Sequence, residues 1–596
     1  MPLQQAGDSL TKSAVGSFTF VLHSHLPYVR KAGVWPFGEE WVHEAISETY
    51  LPLLNVLYSL VEEGIKPRLT LGITPVLAEQ LSDKYLLEKF EKYVNIRIEG
   101  AEKDILEGSK VGANSELKAK AKVAEFYKSW YGNMLDSFKN RYKGDIIGAF
   151  RKLQDDGNIE IITSAATHGY LPLLGTDASI NAQIKVGLEN YNRHFGRRPR
   201  GIWLPECAYR PSYHWKRPTD KNDKGRLRPG IEKFLHDHGL EYFFVDTKTI
   251  EGGVTVGVYA ERFPKLKELW KQFRKEYEEI KPTEKRTTFK PYLLRANHGF
   301  VSVYGRNERS GLQVWSGDYG YPGDGWYREF HKKDEKSGLQ YWRVTGSKID
   351  LGKKAYYEPD KALERTEDHS NHFVNLVKDM LVNYHKENNE HGIVVAMYDT
   401  ELFGHWWFEG PEWMKKVLRK LSKDEDVDLT TGGRFLDAHF PKVIVTLPES
   451  SWGQGGHHFI WYNPEVEWFW PKIYECEDKM SALADKYEGE KDLLKRRILN
   501  QAGRELLLLE SSDWPFLIST GQAKQYAAER FNEHVARFQE CVDMLNNLNA
   551  KTDNKTDNKE IISKITSKLE NIEQIDNLFP NIQFEYFKTY QYGPKR

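Results

Sequence analysis

The chain carries 596 residues, 85 of them Lys or Arg and 86 Asp or Glu, for a formal net charge of −1; without a sustained basic block this disfavours a nucleic-acid partner, because polyanion binding draws on clustered cations. Three widely spaced cysteines, Cys207, Cys476 and Cys541, form no Cys-x-x-Cys pair, which argues against a disulfide framework or zinc ribbon and for a reducing, cytoplasmic setting. No apolar run approaches the roughly 20 residues of a membrane span, and residues 1–17 lack a basic stretch leading into an apolar one, so no membrane association is expected.

The length exceeds one compact core. Residues 1–16 read as a flexible tail, after which short, near-continuously apolar runs recur at 18–22, 69–73, 159–163, 201–204, 242–245, 300–304, 393–397 and 427–430. Continuous rather than alternating apolarity marks strands covered on both faces, the habit of a parallel sheet or barrel. Nearly every run is followed by a polar residue: His23, Thr74, His168, Glu206, Asp246, Arg306 and Asp399. Such convergence describes the active face of a βα barrel, here of seven or eight strands over residues 17–435. Within it, about residues 77–155 are charged and strandless, a helical insertion after the second strand with solvated faces. Residues 216–228 are also charged and read as an insertion. Residues 251–291 contain Gly252 and Gly253 and then turn Lys- and Glu-rich, as a mobile loop placed to cover the site. Residues 436–596 read as a C-terminal helical domain contributing to the cleft, with Phe531, Val535, Phe538, Val542 and Leu545 on one helix face. The tandem Lys-Thr-Asp-Asn of residues 551–558 reads as a solvent loop.

Two runs end in carboxylates. Residues 201–211 place Glu206 after an apolar stretch, and the run at 393–397 breaks into Tyr398, Asp399, Thr400 and Glu401, followed by Trp406 and Trp407. Paired carboxylates at strand ends suit glycoside chemistry: one attacks the anomeric carbon and the other protonates the leaving oxygen, about 5–5.5 Å apart in a double displacement. Burial against Trp406 and Trp407 would keep Asp399 protonated for that task. Strand alternation turns Glu401 away, as a supporting residue. The competing structural role for Glu206 is a buried ion pair with Arg210.

His23 and His25 share one side of an extended strand and, with Asp246, could ligate a metal. The 17 Trp, 32 Tyr and 29 Phe supply flat rings that fill cores or stack on sugars.

The ordered motifs at 22–29 with His23 and His25, 167–174 with His168, 203–209 with Glu206, 398–407 with Asp399 and 451–465 with Trp452 and Trp461 resemble those of the family 57 glycoside hydrolases, most nearly the 1,4-α-glucan branching enzymes, over about residues 17–515. The resemblance implies an α/β fold, a distorted parallel (β/α)7 barrel with a helical insertion and a C-terminal helical domain. It makes Glu206 the nucleophile and Asp399 the general acid/base, with no metal and no cofactor. His23 and His168 would hydrogen-bond the sugar at the cleaved bond, leaving His25 structural. Positions matching Trp315, Trp452 and Trp461 shape donor and acceptor subsites, with neighbouring glycines leaving their faces open. Arg306, Gly323 and Asp513 match further sugar-contacting positions, although Asp513 reads equally as a helix cap. A catalytic-loop tyrosine falls at Tyr259.

The implied activity is retaining cleavage of an α-1,4-glucan such as amylose, amylopectin or glycogen and transfer to a 6-hydroxyl, by a cytoplasmic monomer. A 4-α-glucanotransferase or α-amylase on the same scaffold would differ only in the acceptor. Readings from other classes are a metal-dependent carbohydrate hydrolase or deacetylase using His23, His25 and Asp246, and a non-catalytic glucan-binding protein.

Overall fold

All eight apolar runs fold as strands, and three further short segments join them. The computed structural model describes residues 14–252, 263–273, 285–316, 320–346, 348–550 and 555–590. Its strands are β1 (Gly16–Ser24), β2 (Thr70–Ile73), β3 (Glu160–Ser164), β4 (Gly201–Trp203), β5 (Tyr213–Trp215), β6 (Arg226–Arg228), β7 (Tyr242–Val245), β8 (Tyr292–Arg295), β9 (Phe300–Gly305), β10 (Gly392–Asp399) and β11 (Val427–Leu429). Seven run parallel in the order β10, β1, β2, β3, β4, β7, β9, as a (β/α)7 barrel requires. The distortion lies where the ring closes. There β8 pairs antiparallel with β9, and β10 is reached through single bonds, from Asn307 N–H to Val395 O at 2.9 Å and from Ile393 N–H to Phe289 O at 2.8 Å.

The eighth run, β11, lies off this ring. β2 pairs only with residues 21–24 of the nine-residue β1, and β11 takes the same edge at residues 16–18. The faces of β1 divide core from site. Phe18 and Phe20 point to the covering helices Pro359–Asn388 and Gly410–Leu421, meeting Phe373 and Trp413 with ring centroids 5.8 Å apart in each pair. His23, on the opposite face, stacks on Trp203 of β4 at 4.6 Å and stands in register with Asp399 of β10.

Between β2 and β3 lie the helices Pro75–Leu81, Lys84–Gly108, Ser115–Asp136 and Ile146–Asp155. Asp83 and Asn114 cap the two long ones by accepting from Leu86 N–H and Leu117 N–H. These two pack on each other, while Ile146–Asp155 packs against β3. The charged stretch after Glu206 is closed by a hairpin of β5 and β6, where buried Arg228 pairs with Asp177 at 2.6 Å.

The C-terminal part is built from the helices Phe469–Lys486, Leu493–Leu509, Asp513–Thr520, Lys524–Asn549 and Lys555–Ile575. Phe531, Phe538 and Leu545 are buried along the expected face, with Val535 and Val542 partly buried beside them. Lys555 begins a helix, so the second Lys-Thr-Asp-Asn unit is helical rather than loop. Apolar residues enter that helix only from Ile561, which is why composition concealed it. Residues 1–13 of the expected tail, and 253–262 (with Tyr259) and 274–284 of the expected mobile loop, lie outside the described residues. Between the latter two, the helix Pro264–Phe273 is tied down by Lys265 to Glu465 at 2.5 Å and by Trp270 against Phe459 at 5.2 Å. No helix among the described residues is long and apolar enough to cross a membrane.

Gly404, after β10, has φ +108, and a Cβ there would overlap the Glu48 carbonyl oxygen. Glu48 is itself fixed by Arg328 at 3.0 Å, both buried. Gly404→Ala is expected to cost at least ~3 kcal/mol, against ~1 kcal/mol for Gly64→Ala, where φ is +79 but the space is open; thermal unfolding of the two variants checks the difference.

Candidate active site

The C-terminal ends of the strands surround a cavity of about 420 Å³ lined by His23, His25, His168, Glu206, Asp399 and Asp513, among other residues. Six sequence-predicted polar residues are therefore brought together.

Glu206 owes its aim to backbone strain. Glu206 and Cys207 adopt φ +61 and +49, a left-handed conformation that costs a residue with a Cβ about 1–2 kcal/mol, and so turn the chain sharply after β4. The turn is held from outside. Ser450 and Tyr209 exchange backbone hydrogen bonds of 2.8 and 3.0 Å, and Trp452 N–H donates to Glu206 O at 3.0 Å. The side chain then accepts twice, from Trp452 Nε1–H at 2.8 Å on Oε2 and from Ser512 Oγ–H at 3.0 Å on Oε1. Burial pushes its pKa up to about 7, although the hydrogen bonds from Trp452 and Ser512 oppose that rise. Arg210 is fully buried and has no hydrogen-bond partner among the described residues, so it does not pair with Glu206.

His168, also left-handed at φ +59, is held by Ser512 N–H donating to its carbonyl at 3.0 Å. Its Nδ1 lies 2.8 Å from Ser512 Oγ and its Nε2 2.9 Å from Nε2 of His23. Burial holds both rings well below the usual imidazole pKa, assisted by the nearby His25. His25 behaves oppositely. Burial disfavours its charge, but Asp513, bonded at 3.0 Å, with Glu206 and Glu401, outweighs burial and raises its pKa. Its Nδ1 lies 3.1 Å from Thr74 Oγ1.

Asp399, half-buried, is the last residue of β10. Of the two tryptophans expected beside it, Trp406 faces the cavity, stacked on Phe330 at 4.2 Å, whereas Trp407 is buried against Trp413. The strand ends at Asp399 and a tight helical turn, Thr400–Leu402, follows, so alternation does not apply and Glu401 reaches the cavity wall. There it accepts from Tyr50 O–H and from His25 N–H at 3.2 Å. Tyr50 ends a stretch of widened helix, Ile46–Tyr50, a distortion common near functional sites. Burial raises the Glu401 pKa to about 7 against the hydrogen bond from Tyr50.

The remaining candidates are spread out. Trp315 and Trp452 line the cavity, 6.1 Å apart edge to face, but each is only 4 % exposed. Trp461 is fully buried, stacked on Tyr170 at 4.5 Å, and has no open face for a sugar. Arg306 is ion-paired with Asp246 at 2.5 Å, which occupies Asp246 away from the histidines. Gly323 sits in the turn Tyr321–Gly323, and neither it nor Arg306 lines the cavity of the described residues. His23, His25 and Asp246 do not converge as metal ligands; among the described residues only Glu505, His534 and Asp576 do, and there Arg537, 2.7 Å from Asp576, already supplies positive charge. The residues missed in the sequence are Ser512 and the aromatics of the cavity mouth: Trp35, 76 % exposed, with Phe37, Trp41, Phe330 and Phe516. They lie outside the strand ends and carry no periodic signal.

Raising a carboxyl pKa on folding penalises its ionised form. The Glu401 penalty is absent below its usual value of 4.5, grows as pH rises, and is complete above about 7, where it reaches at most about 3 kcal/mol. Glu401→Gln is therefore expected to melt higher than the parent protein at pH 8 and close to it at pH 5, as thermal unfolding at the two pH values would record.

Two family models match the chain, glycosyl hydrolase family 57 over residues 19–448 and the C-terminal region of 1,4-α-glucan branching enzymes over residues 472–587. The 1,4-α-glucan branching enzyme of Thermococcus kodakarensis is 48 % identical over 89 % of this chain and 74 % of its own. Its crystal structure superimposes with a TM-score of 0.85, at 44 % identity over 97 % of both chains, and the branching enzyme of Pyrococcus horikoshii with 0.83, at 43 % identity over 98 % of both. The α-amylase AmyC of Thermotoga maritima follows with 0.77, at 31 % identity over 97 % of this chain and all of that one. The barrel, its strand-end cavity and the extent of these matches agree: the chain belongs to glycosyl hydrolase family 57.

Proposed function

We propose that this protein is a 1,4-α-glucan branching enzyme that works by a retaining double displacement with Glu206 as nucleophile and Asp399 as general acid/base. The observation that carries the assignment of roles is the environment of Glu206, a carboxylate at the cavity floor with one fixed donor on each oxygen and Asp399 lining the same cavity.

In the first step a Glu206 oxygen bonds to the anomeric carbon of an α-1,4-linked glucose, the bond to the leaving O4 breaks, and Asp399 gives O4 its proton. The product is a β-glucosyl ester. In the second step Asp399 takes the proton of a 6-hydroxyl on another glucan chain, that oxygen bonds to the anomeric carbon, and the ester bond breaks. Two inversions restore the α configuration and leave an α-1,6 branch. Water at ~55 M competes for the ester, so the acceptor has to be held in place. The aromatic mouth formed by Trp35, Trp41 and Phe330 supports that role, since flat apolar rings pack on sugar faces. His23, His168 and Asp513 line the floor, so a sugar bound there would lie against them. The setting we propose is a cytoplasmic one in glycogen or related glucan metabolism, consistent with three buried, unpaired cysteines.

The likeness to an α-amylase favours hydrolysis as the second reading, with water as acceptor on the same two carboxylates. Incubation with amylose, then debranching and chain-length analysis, separates the two. New α-1,6 linkages are expected from the parent protein, with loss of at least ~10³-fold in rate in Glu206→Gln and Asp399→Asn. Shortened chains without branches would assign the hydrolase.

A further inference from the structure

Glu206 is the end of a continuous chain of hydrogen bonds. Ser512 Oγ is 3.0 Å from Glu206 Oε1 and 2.8 Å from His168 Nδ1, and His168 Nε2 is 2.9 Å from His23 Nε2. The far atom, His23 Nδ1, is buried and has no hydrogen-bond partner among the described residues. That fixes the sense of the chain.

With Glu206 ionised, Ser512 donates to it, His168 donates from Nδ1 to Ser512, and His23 donates from Nε2 to His168. Each hydrogen finds an acceptor, and the terminal His23 Nδ1 carries only a lone pair. With Glu206 protonated on Oε1, its hydrogen points at Ser512. Either the whole chain reverses and leaves a buried N–H at His23 Nδ1 without an acceptor, or Ser512 accepts twice and its own hydrogen loses its partner. A buried donor without an acceptor is costly. Protonation on Oε2 leaves the chain in place but weakens the hydrogen bonds from both Trp452 and Ser512, because a neutral carboxyl accepts less strongly than a carboxylate.

We propose that Ser512 is a positioning residue which, through His168 and His23, forms a directional relay that favours the carboxylate form of Glu206 and fixes its Oε1. The proposal rests on Glu206 being the nucleophile. It also explains why a neutral His168 stands behind a group that has to be negative: a charged ring could not accept from His23. Burial alone would leave Glu206 largely protonated below neutral pH, and the relay opposes it. The other titratable groups around Glu206 are His25 from the end of β1, Asp399 from the end of β10, Asp513 from the start of the helix Asp513–Thr520 and Cys207 beside it in the turn; none of these is a donor to its side chain among the hydrogen bonds of the described residues.

Two measurements on the full chain test this. In the first, kcat/KM for amylose is followed against pH for the parent protein, Ser512→Ala and Ser512→Cys, with Glu206→Gln alongside and thermal unfolding of each. Losing the donor raises the pH at which Glu206 ionises, so the acid limb of Ser512→Ala should move up by about one unit or more. That is about a tenfold deeper loss at pH 5.5 than at pH 8.5, with a smaller displacement in Ser512→Cys, whose thiol is a weak donor. An acid limb that coincides with the parent's, or an equal loss at every pH, overturns the proposal. If Glu206→Gln keeps its activity, the nucleophile assignment itself falls; if it is inert while the Ser512 variants track the parent profile, only the relay falls. The second measurement needs no Ser512 variant. In protein labelled with 15N-histidine, His168 should be neutral with its proton on Nδ1 and His23 neutral with its proton on Nε2; a proton on His168 Nε2 would contradict the direction of the chain.

Discussion

Holding a carboxylate out of water at the tip of a strained turn is the constraint from which the rest of this structure follows. The turn at Glu206 and Cys207 cannot sustain two left-handed residues alone. It is over-determined by the segment around Ser450–Trp452 and by Ser512, which reach it from beyond the barrel. The helical C-terminal part is therefore a wall of the site rather than an appendage. Ser512 serves both strand-end loops at once, its N–H holding the His168 backbone and its hydroxyl touching Glu206. One short turn thus sets the spacing between β3 and β4 at the point where the chemistry occurs.

The electrostatics of the cavity follow from the same enclosure. Glu206, Glu401 and Asp513 crowd one side, and His25 stands among them with its protonation favoured by all three. Burial raises the pKa of Glu206 and Glu401 to about 7, which limits how much negative charge the wall carries. Around this floor, aromatic residues dominate the mouth, so the site changes from polar and ordered to apolar as the substrate leaves it.

Much of the barrel was legible because parallel strands covered on both faces are apolar without alternation, and seven of the eight runs became barrel strands. β11 left the count open between seven and eight, since a short, mostly buried strand on an outer edge looks like one on the ring. β8 escaped notice because a short edge strand leaves no long run. Glu206, Asp399, His23 and His168 could be placed at strand ends from pattern alone. Glu401 could not, because its orientation depends on a turn that begins one residue after the strand stops. Nor could Trp461 be told from Trp452, since glycines next to a tryptophan open space for packing as readily as for a sugar. Trp35 and Ser512 act from irregular segments, where position is set by tertiary contacts and periodicity says nothing.

The donors to Glu206 stand 246 and 306 residues further along the chain. During synthesis, β4 and its turn leave the ribosome long before Trp452 and Ser512 exist. In that interval the glutamate has neither side-chain donor nor the backbone bond from Trp452, and Asp399 has not yet been added to the ring. Contacts this distant are also slow to form. A chain that stops short of Ser512 therefore lacks one of the two donors to Glu206 together with the part of the cavity wall formed by Asp513 and Phe516.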